Sequence, residues 1–428
     1  MDRSGKKGVE GVQTMEQPAA PFEADWERVD GAAGMCAGGG SVGHVLDLIR
    51  RAGGLTRAEI TEKSGLSRTT VAARLEALQA GGLISSGQST AARGRPPSHF
   101  HFRADQGALL IADAGATGVR TAITDLAGQI RDERQGALDI TIGPQQWLGS
   151  VSELLDELLE STGVTTDVVR GIGLAVPGPV DFASATVISP PIMTGWDGYP
   201  IRSWFASRFD CPVVVDNDAD AMAPGEHTSE FSDRDSLVMV KVATGIGAGI
   251  IAHRSIYRGA DGAAGDIGHI QINPPADAFT PDGSTPVCRC GNFGCLEAYA
   301  GGWALLRDLA NSGRDVRTIP DAVRLIVAGD PLAVNLARRA GRFIGKTLSE
   351  VVSLLNPSIV VIGGELAAGT DYVIAGIRES VYARSLPLAT RKLQIVPARL
   401  GDRAGTVGLT STLTDYIFDP RRIDASLG

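Results

Sequence analysis

Three cysteines fall within eight residues, in the string Cys288-Arg-Cys290-Gly-Asn-Phe-Gly-Cys295. Clustered thiols of this kind point to a bound metal more than to disulfides. A structural zinc takes four nitrogen or sulfur ligands in a tetrahedron, and three thiolates on one tight, glycine-rich loop leave one place to fill. His269, at the end of Gly265-Asp-Ile-Gly-His269, is the best fourth ligand. Closing such a site is worth on the order of 10 kcal/mol, enough to fix a loop that would otherwise wander.

The 428 residues exceed one ordinary domain. Residues 1–40 mix Gly, Ala, Glu and Gln without periodicity, and read as a disordered leader with no signal-peptide pattern. No apolar run reaches the roughly 18–20 residues of a membrane helix, so the expected setting is the cytoplasm with no membrane partner. The net charge of −9 argues against nucleic acid only until it is divided. Residues 41–103 carry +5 and the remainder −14, a small basic module joined to a large acidic one.

Within 41–103, Val42, Val45, Leu46 and Ile49 repeat with the spacing of an amphipathic helix. Thr56 and Glu59 form a capping box for a second helix, which Gly65 ends. Ser67 caps a third, with Val71, Leu75 and Leu78 on one face. Two short strands follow, near 83–86 and 98–102. Helix, helix-turn-helix and β-hairpin in this order predict a winged helix-turn-helix DNA-binding domain. Its third helix would present Ser67, Arg68, Thr69, Thr70, Ala73 and Arg74 to the major groove. Arg93 and Arg95, in the hairpin loop Arg93-Gly-Arg95-Pro-Pro, would enter the minor groove. Such readers work as pairs, so double-stranded operator DNA and a homodimer or homotetramer are the expected partners.

Residues 104–428 alternate apolar strands with helical stretches, an α/β pattern whose strands end in Gly, Asp or Asn. No short internal repeat is visible. The string Gly265-Asp266-Ile267-Gly268-His269, followed by Cys-x-Cys-Gly-x-x-Gly-Cys-x-Glu297, strongly resembles the ROK family of repressors and sugar kinases. Ala175-Val-Pro-Gly-Pro-Val-Asp181, Val215-Asp-Asn-Asp-Ala219 and Ile362-Gly-Gly364 extend the resemblance over roughly 41–415. It implies a two-lobed, actin-like ATPase fold behind the winged helix, with the ligand between the lobes. By the same resemblance Asn217, Asp218, Asp266, His269 and Glu297 contact sugar hydroxyls, with His269 serving both sugar and zinc. Asp113, Gly115, Thr117, Thr244, Gly245, Gly363 and Gly364 fall where the family binds phosphates, and Asp218 stands at the kinases' general base.

Three departures from the kinase pattern stand out. Asp266 replaces the usual Glu, Asp220 a frequent Asn where a triphosphate would approach, and Ile192-Met193 a segment that often holds a polar Asn. The expected function is therefore a repressor that binds operator DNA and responds to a sugar or sugar derivative, with structural Zn2+. The alternative is an ATP-dependent hexose or N-acylhexosamine kinase with Asp218 as base, and only then with ATP and Mg2+.

Overall fold

The computed structural model describes residues 40–88, 98–273, 284–368 and 371–427. The leader, and Arg93 and Arg95 in the hairpin loop, lie outside the described residues. The chain divides into two compact units. One is formed by the N-terminal residues to Phe102 together with Phe418–Gly428, the other by Arg103–Ile417.

The first unit opens with α1 (Val42–Ala52), capped by Ser41, whose Oγ accepts from the His44 N–H at 3.1 Å. Strand β1 (Leu55–Thr56) leads into α2 (Arg57–Ser64). There Thr56 Oγ1 accepts from the Glu59 N–H at 3.3 Å and Glu59 Oε2 from the Thr56 N–H at 2.7 Å, the reciprocal pair of a capping box. Helix α3 (Arg68–Ala80) buries Val71, Leu75 and Leu78 against Val45, Leu46 and Ile49 of the same small core. Strands β2 (Ile84–Gln88) and β3 (Ser98–Phe102) form the hairpin, and β1 pairs with the outer side of β3.

Residues from Phe418 onward belong to this unit and not, as expected from sequence, to the domain that begins at residue 104. Helix Pro420–Leu427 packs on α1, and Asp424 Oδ1 accepts at 2.8 Å from the Gly43 N–H. That N–H lies in the first turn of α1 and has no partner within its own helix. Phe418 is buried edge-on to Phe102, ring centroids 4.9 Å apart.

The second unit begins with the meander β4 (Ala108–Ala114), β5 (Gly118–Asp125) and β6 (Ile130–Ala137). Helix α4 (Pro144–Thr162) returns to β7 (Val169–Val176), and a small hairpin, β8 (Val180–Asp181) with β9 (Thr186–Val187), precedes α5 (Ile201–Ala206) and β10 (Val213–Asn217). These strands form a sheet in the order β10-β7-β4-β5-β6. After α6 (Asp218–Glu230) the scheme repeats with the meander β11 (Leu237–Val242), β12 (Ile246–Ala252) and β13 (Ser255–Ile256). Helices α7 (Leu296–Ala300), α8 (Gly302–Asn311), α9 (Ile319–Val327) and α10 (Pro331–Leu355) lead to β14 (Ile359–Gly363). Then come α11 (Glu365–Ala368), α12 (Asp371–Arg384), α13 (Pro387–Thr390), β15 (Gln394–Pro397) and α14 (Ala404–Ile417).

The second sheet has the order β13-β12-β11-β14-β15. In both sheets the meander is antiparallel and the two later strands run parallel to its first. The unit is thus two lobes of one topology, a duplication that no short sequence repeat announces. The helices that end the two lobes, α6 and α14, pack against each other almost backbone to backbone. A Cβ added at Gly408 would lie 1.8 Å from the Ala221 carbonyl oxygen. No described helix is long and apolar enough to cross a membrane.

Candidate functional site

The cavity between the lobes measures about 700 Å³. Asp113, Gly115, Thr117, Asn217, Asp218, Thr244, Gly245, Asp266, His269, Glu297, Gly363 and Gly364 all line it. Residues spread over 250 positions of sequence meet here because each lobe turns its strand ends and helix N-termini toward the other.

Asn217 caps α6. Its Oδ1 accepts from the Ala219 and Asp220 N–H groups at 2.8 and 3.3 Å, while Nδ2 donates to the Gly178 carbonyl at 2.9 Å. Little of this amide is left for a ligand, so Asn217 chiefly fixes the neighbouring Asp218. Glu297, buried at the start of α7, accepts from the Ile246 N–H through Oε2 and from the Trp303 indole through Oε1, both at 3.1 Å. Trp303 was not singled out from sequence, and an isolated Trp near an acidic residue gives no distinctive signal.

Asp266 and His269 come from a short turn laid against β12. Gly265 has φ of +108°, and a Cβ there would lie 1.8 Å from the Ala248 carbonyl oxygen. The motif glycine is thus required by contact between backbones. Burial pushes the Asp266 carboxyl up, and His269 partly offsets it.

His269 also belongs to a second cluster. Its Nδ1 lies 3.7 Å from Cys288 Sγ, and Cys290 Sγ lies 3.7 Å from Cys295 Sγ. All four donor atoms fall within 4.8 Å of one another. A tetrahedral zinc with Zn–S near 2.3 Å separates its sulfurs by about 3.8 Å, so the donor set fits a structural zinc. A hairpin holds the loop, with Val287 bridged to Phe293 and the Cys288 N–H donating to the Asn292 carbonyl at 2.7 Å. With Nδ1 turned to the thiols, the other ring nitrogen is left for the cavity.

The residues expected at phosphates have one further companion in the cavity. Lys241 of β11 lines the same cavity, and its Nζ lies 2.5 Å from Asp218 Oδ2. Burial alone would push this ammonium down; the carboxylates of Asp218, Asp113 and Glu365 overcome it and hold it above the ordinary lysine value. Burial raises the Asp113 carboxyl to about 6, against the pull of Lys241. A lysine inside the apolar run Leu-Val-Met-Val-Lys-Val was the available sequence signal, because a charge in a buried strand needs a partner.

Two of the expected departures change meaning. Asp220 does not line the cavity: it is 3% exposed, with Oδ1 lacking a partner among the described residues. Burial, reinforced by Asp216, pushes its carboxyl well above the usual range. Ile192 does line the cavity, but Met193 turns into the first lobe's core.

In the other unit Ser67, Arg68, Thr69 and Ala73 are exposed along α3, with Thr70 half-buried. Ser67 Oγ accepts from the Thr70 N–H at 3.1 Å, which starts the helix with its polar first turn outward. Arg74 is less free than the sequence suggests, since its Nε donates to the Gly40 carbonyl at 3.2 Å.

The ROK family model matches residues 110–415 and a winged helix-turn-helix DNA-binding model matches residues 43–85. The chain belongs to the ROK family. The xylose repressor of Caldicellulosiruptor bescii is 28% identical to it over 382 residues, covering 86% of this chain and 93% of the relative. Among solved structures, a ROK family transcriptional regulator described as a homologue of the E. coli MLC protein aligns over 90% of this chain and 98% of its own. The TM-score is 0.76 at 24% identity, a likeness of fold. A ROK glucokinase from Streptomyces griseus, in complex with glucose and AMPPNP, aligns over 72% of this ROK chain and 99% of its own. Its TM-score is 0.61 at 27% identity.

Proposed function

We propose that this ROK protein is a sugar-responsive transcriptional repressor whose operator binding is set by a neutral aldose in the cleft, with xylose the first candidate. The observation that carries the reading is the union, in one chain, of an exposed α3 reading face with a cavity walled by hydroxyl-binding groups. The likeness to a named xylose repressor runs through both units, whereas the likeness to the glucokinase covers the second unit's share of the chain.

In the cleft, Asp218, Asp266 and Glu297 accept from sugar hydroxyls and His269 supplies a ring nitrogen. Partly buried groups of this kind are costly to leave unpaired, which rejects ligands with a misplaced hydroxyl. Zinc, held by His269, Cys288, Cys290 and Cys295, orients that wall of the site without entering any reaction. On DNA, Arg68 and the Thr69–Thr70 hydroxyls meet base edges and phosphates, and a dimer spans two half-sites about 10 base pairs apart. The protein acts in the cytoplasm on nucleoid DNA. A ligand shifts this equilibrium only through different affinities for the DNA-binding and released forms.

The test selects a DNA site from random duplexes with the full chain, then follows release by fluorescence anisotropy as aldoses are added. Release by millimolar xylose or another single aldose is expected, and Arg68→Ala should weaken DNA binding at least tenfold. Failure to select any duplex, or binding indifferent to every aldose, would overturn the reading.

A further inference from the structure

The two lobes put opposite charges at equivalent places. Asp113 lies two residues before the β4–β5 turn, pairs with Arg120 across the meander and with Ala175 across the parallel neighbour. Lys241 lies at the corresponding place before the β11–β12 turn, pairing with Gly247 and Gly363. Each reaches the helix that ends the other lobe. Asp113 meets the first turn of α14, accepting from the Thr406 N–H, and Lys241 meets Asp218 at the start of α6.

We propose that Lys241 is a built-in cation of the cleft: its ammonium pairs with the Asp218 carboxylate, in a cavity that Asp113 and Glu365 also line, and takes up the carboxylate charge that a divalent metal would need for phosphoryl transfer. Such transfer needs a cation bridging carboxylates and phosphates, and a base free to take the hydroxyl proton. Here Asp218 Oδ2 already accepts a short, charge-assisted hydrogen bond from Lys241. The other cation lining this side, Arg120, is engaged by Glu133 at 3.4 Å and by Asp402. A lysine can also bind phosphate as a point charge, but then its ammonium must turn to the phosphate, and this one is paired with Asp218. A divalent ion entering beside Asp218 would face that positive charge at close range. Mg2+ with ATP therefore does not fit these residues, and the cleft binds sugar without passing phosphate to it.

This inference rests on the reading of the cleft as the effector site, but its test is separate. Full-length, zinc-loaded protein is titrated with Mn2+, followed by the electron paramagnetic resonance of the free ion, and with Mg2+ and AMPPNP by calorimetry. Wild type should bind neither below millimolar concentration, with or without sugar. Lys241→Ala leaves the carboxylates uncompensated and should bind Mn2+ at least tenfold more tightly than wild type, while Lys241→Arg should not. Lys241→Gln, which keeps a donor on a long stem, replaces the alanine variant if that one does not fold. The double variant Lys241→Met with Asp218→Asn should fold and show less Mn2+ binding than Lys241→Ala. Submillimolar Mn2+ or AMPPNP binding by wild type would overturn the proposal, as would a folded Lys241→Ala with no gain in Mn2+ affinity. Neither result bears on whether an aldose releases operator DNA.

Discussion

The two lobes of the ligand-binding unit share one strand order and face the same cavity, yet they furnish it differently. The first lobe contributes main-chain turns and the N-terminus of α6, where Asn217 spends its amide on the backbone to position Asp218. The second interrupts the equivalent path, between β13 and α7, with the segment that carries Asp266, His269 and the three cysteines. Regular secondary structure holds the first wall, while a short 3-10 turn and a cluster of four donors apt for a metal lie in the second. A duplicated scaffold thus tolerates a functional insertion when the insertion brings its own cross-link, since a glycine-rich loop has no core of its own to fix it.

The strongest way to break this comparison is to remove the metal. Chelation, or Cys295→Ser, should take bound zinc from one per chain to none and abolish the stabilisation that sugar gives. The energy at stake is on the order of 10 kcal/mol of apparent binding. Hydrogen exchange should rise over 266–297 and stay unchanged over β4–β7. Metal analysis with a thermal-shift titration checks this, and an undiminished sugar shift in metal-free protein would refute the asymmetry.

A smaller effect should come from the contact both lobes share. Gly408→Ala forces α6 and α14 apart, because its methyl would meet the Ala221 carbonyl. The expected loss is about 1–3 kcal/mol or more, read from the urea midpoint. Gly149→Ala, on α4 with nothing near its added Cβ, should instead be neutral or gain up to about 1 kcal/mol. Equal midpoints for the two variants would mean that the close approach of the helices is not needed.

The smallest effect separates the equivalent positions Asp113 and Lys241. The Asp113 carboxyl is raised from 3.8 to about 6, so between those values the folded chain binds more protons than the unfolded one. Its contribution to stability is full below pH 4 and is lost as pH rises to about 6. Asp113→Asn should flatten this component, by about 1 kcal/mol since the carboxyl is only half-buried. Melting temperatures of both proteins from pH 4.5 to 7 give the comparison, and a difference independent of pH would exclude it.

Features fixed by contacts close in sequence were legible in advance. The Thr56 and Ser67 caps, the apolar stripe of α1 and the clustered cysteines depend on groups a few residues apart, and each has a residue pattern of its own. Family resemblance also indicated which distant residues share the cleft. Partnerships between distant residues that belong to no motif stayed hidden. Trp303 on Glu297, Lys241 on Asp218, Arg74 on the Gly40 carbonyl and Asp424 on α1 are pairings across the fold, and periodicity reports only which side of an element is apolar.

By itself the sequence determined a winged helix-turn-helix ahead of a ROK domain and a four-donor cluster apt for zinc, because helix caps and metal ligands are local chemistry. Only the tertiary structure decided that the chain's last residues complete the first unit, that the second is a duplication, and that Asp220 is sealed away from the cleft. It also decided that Lys241 faces the would-be base. Burial and charge pairing are properties of neighbours in space, and only the packing of α6 against the second sheet brings Asp218 to Lys241.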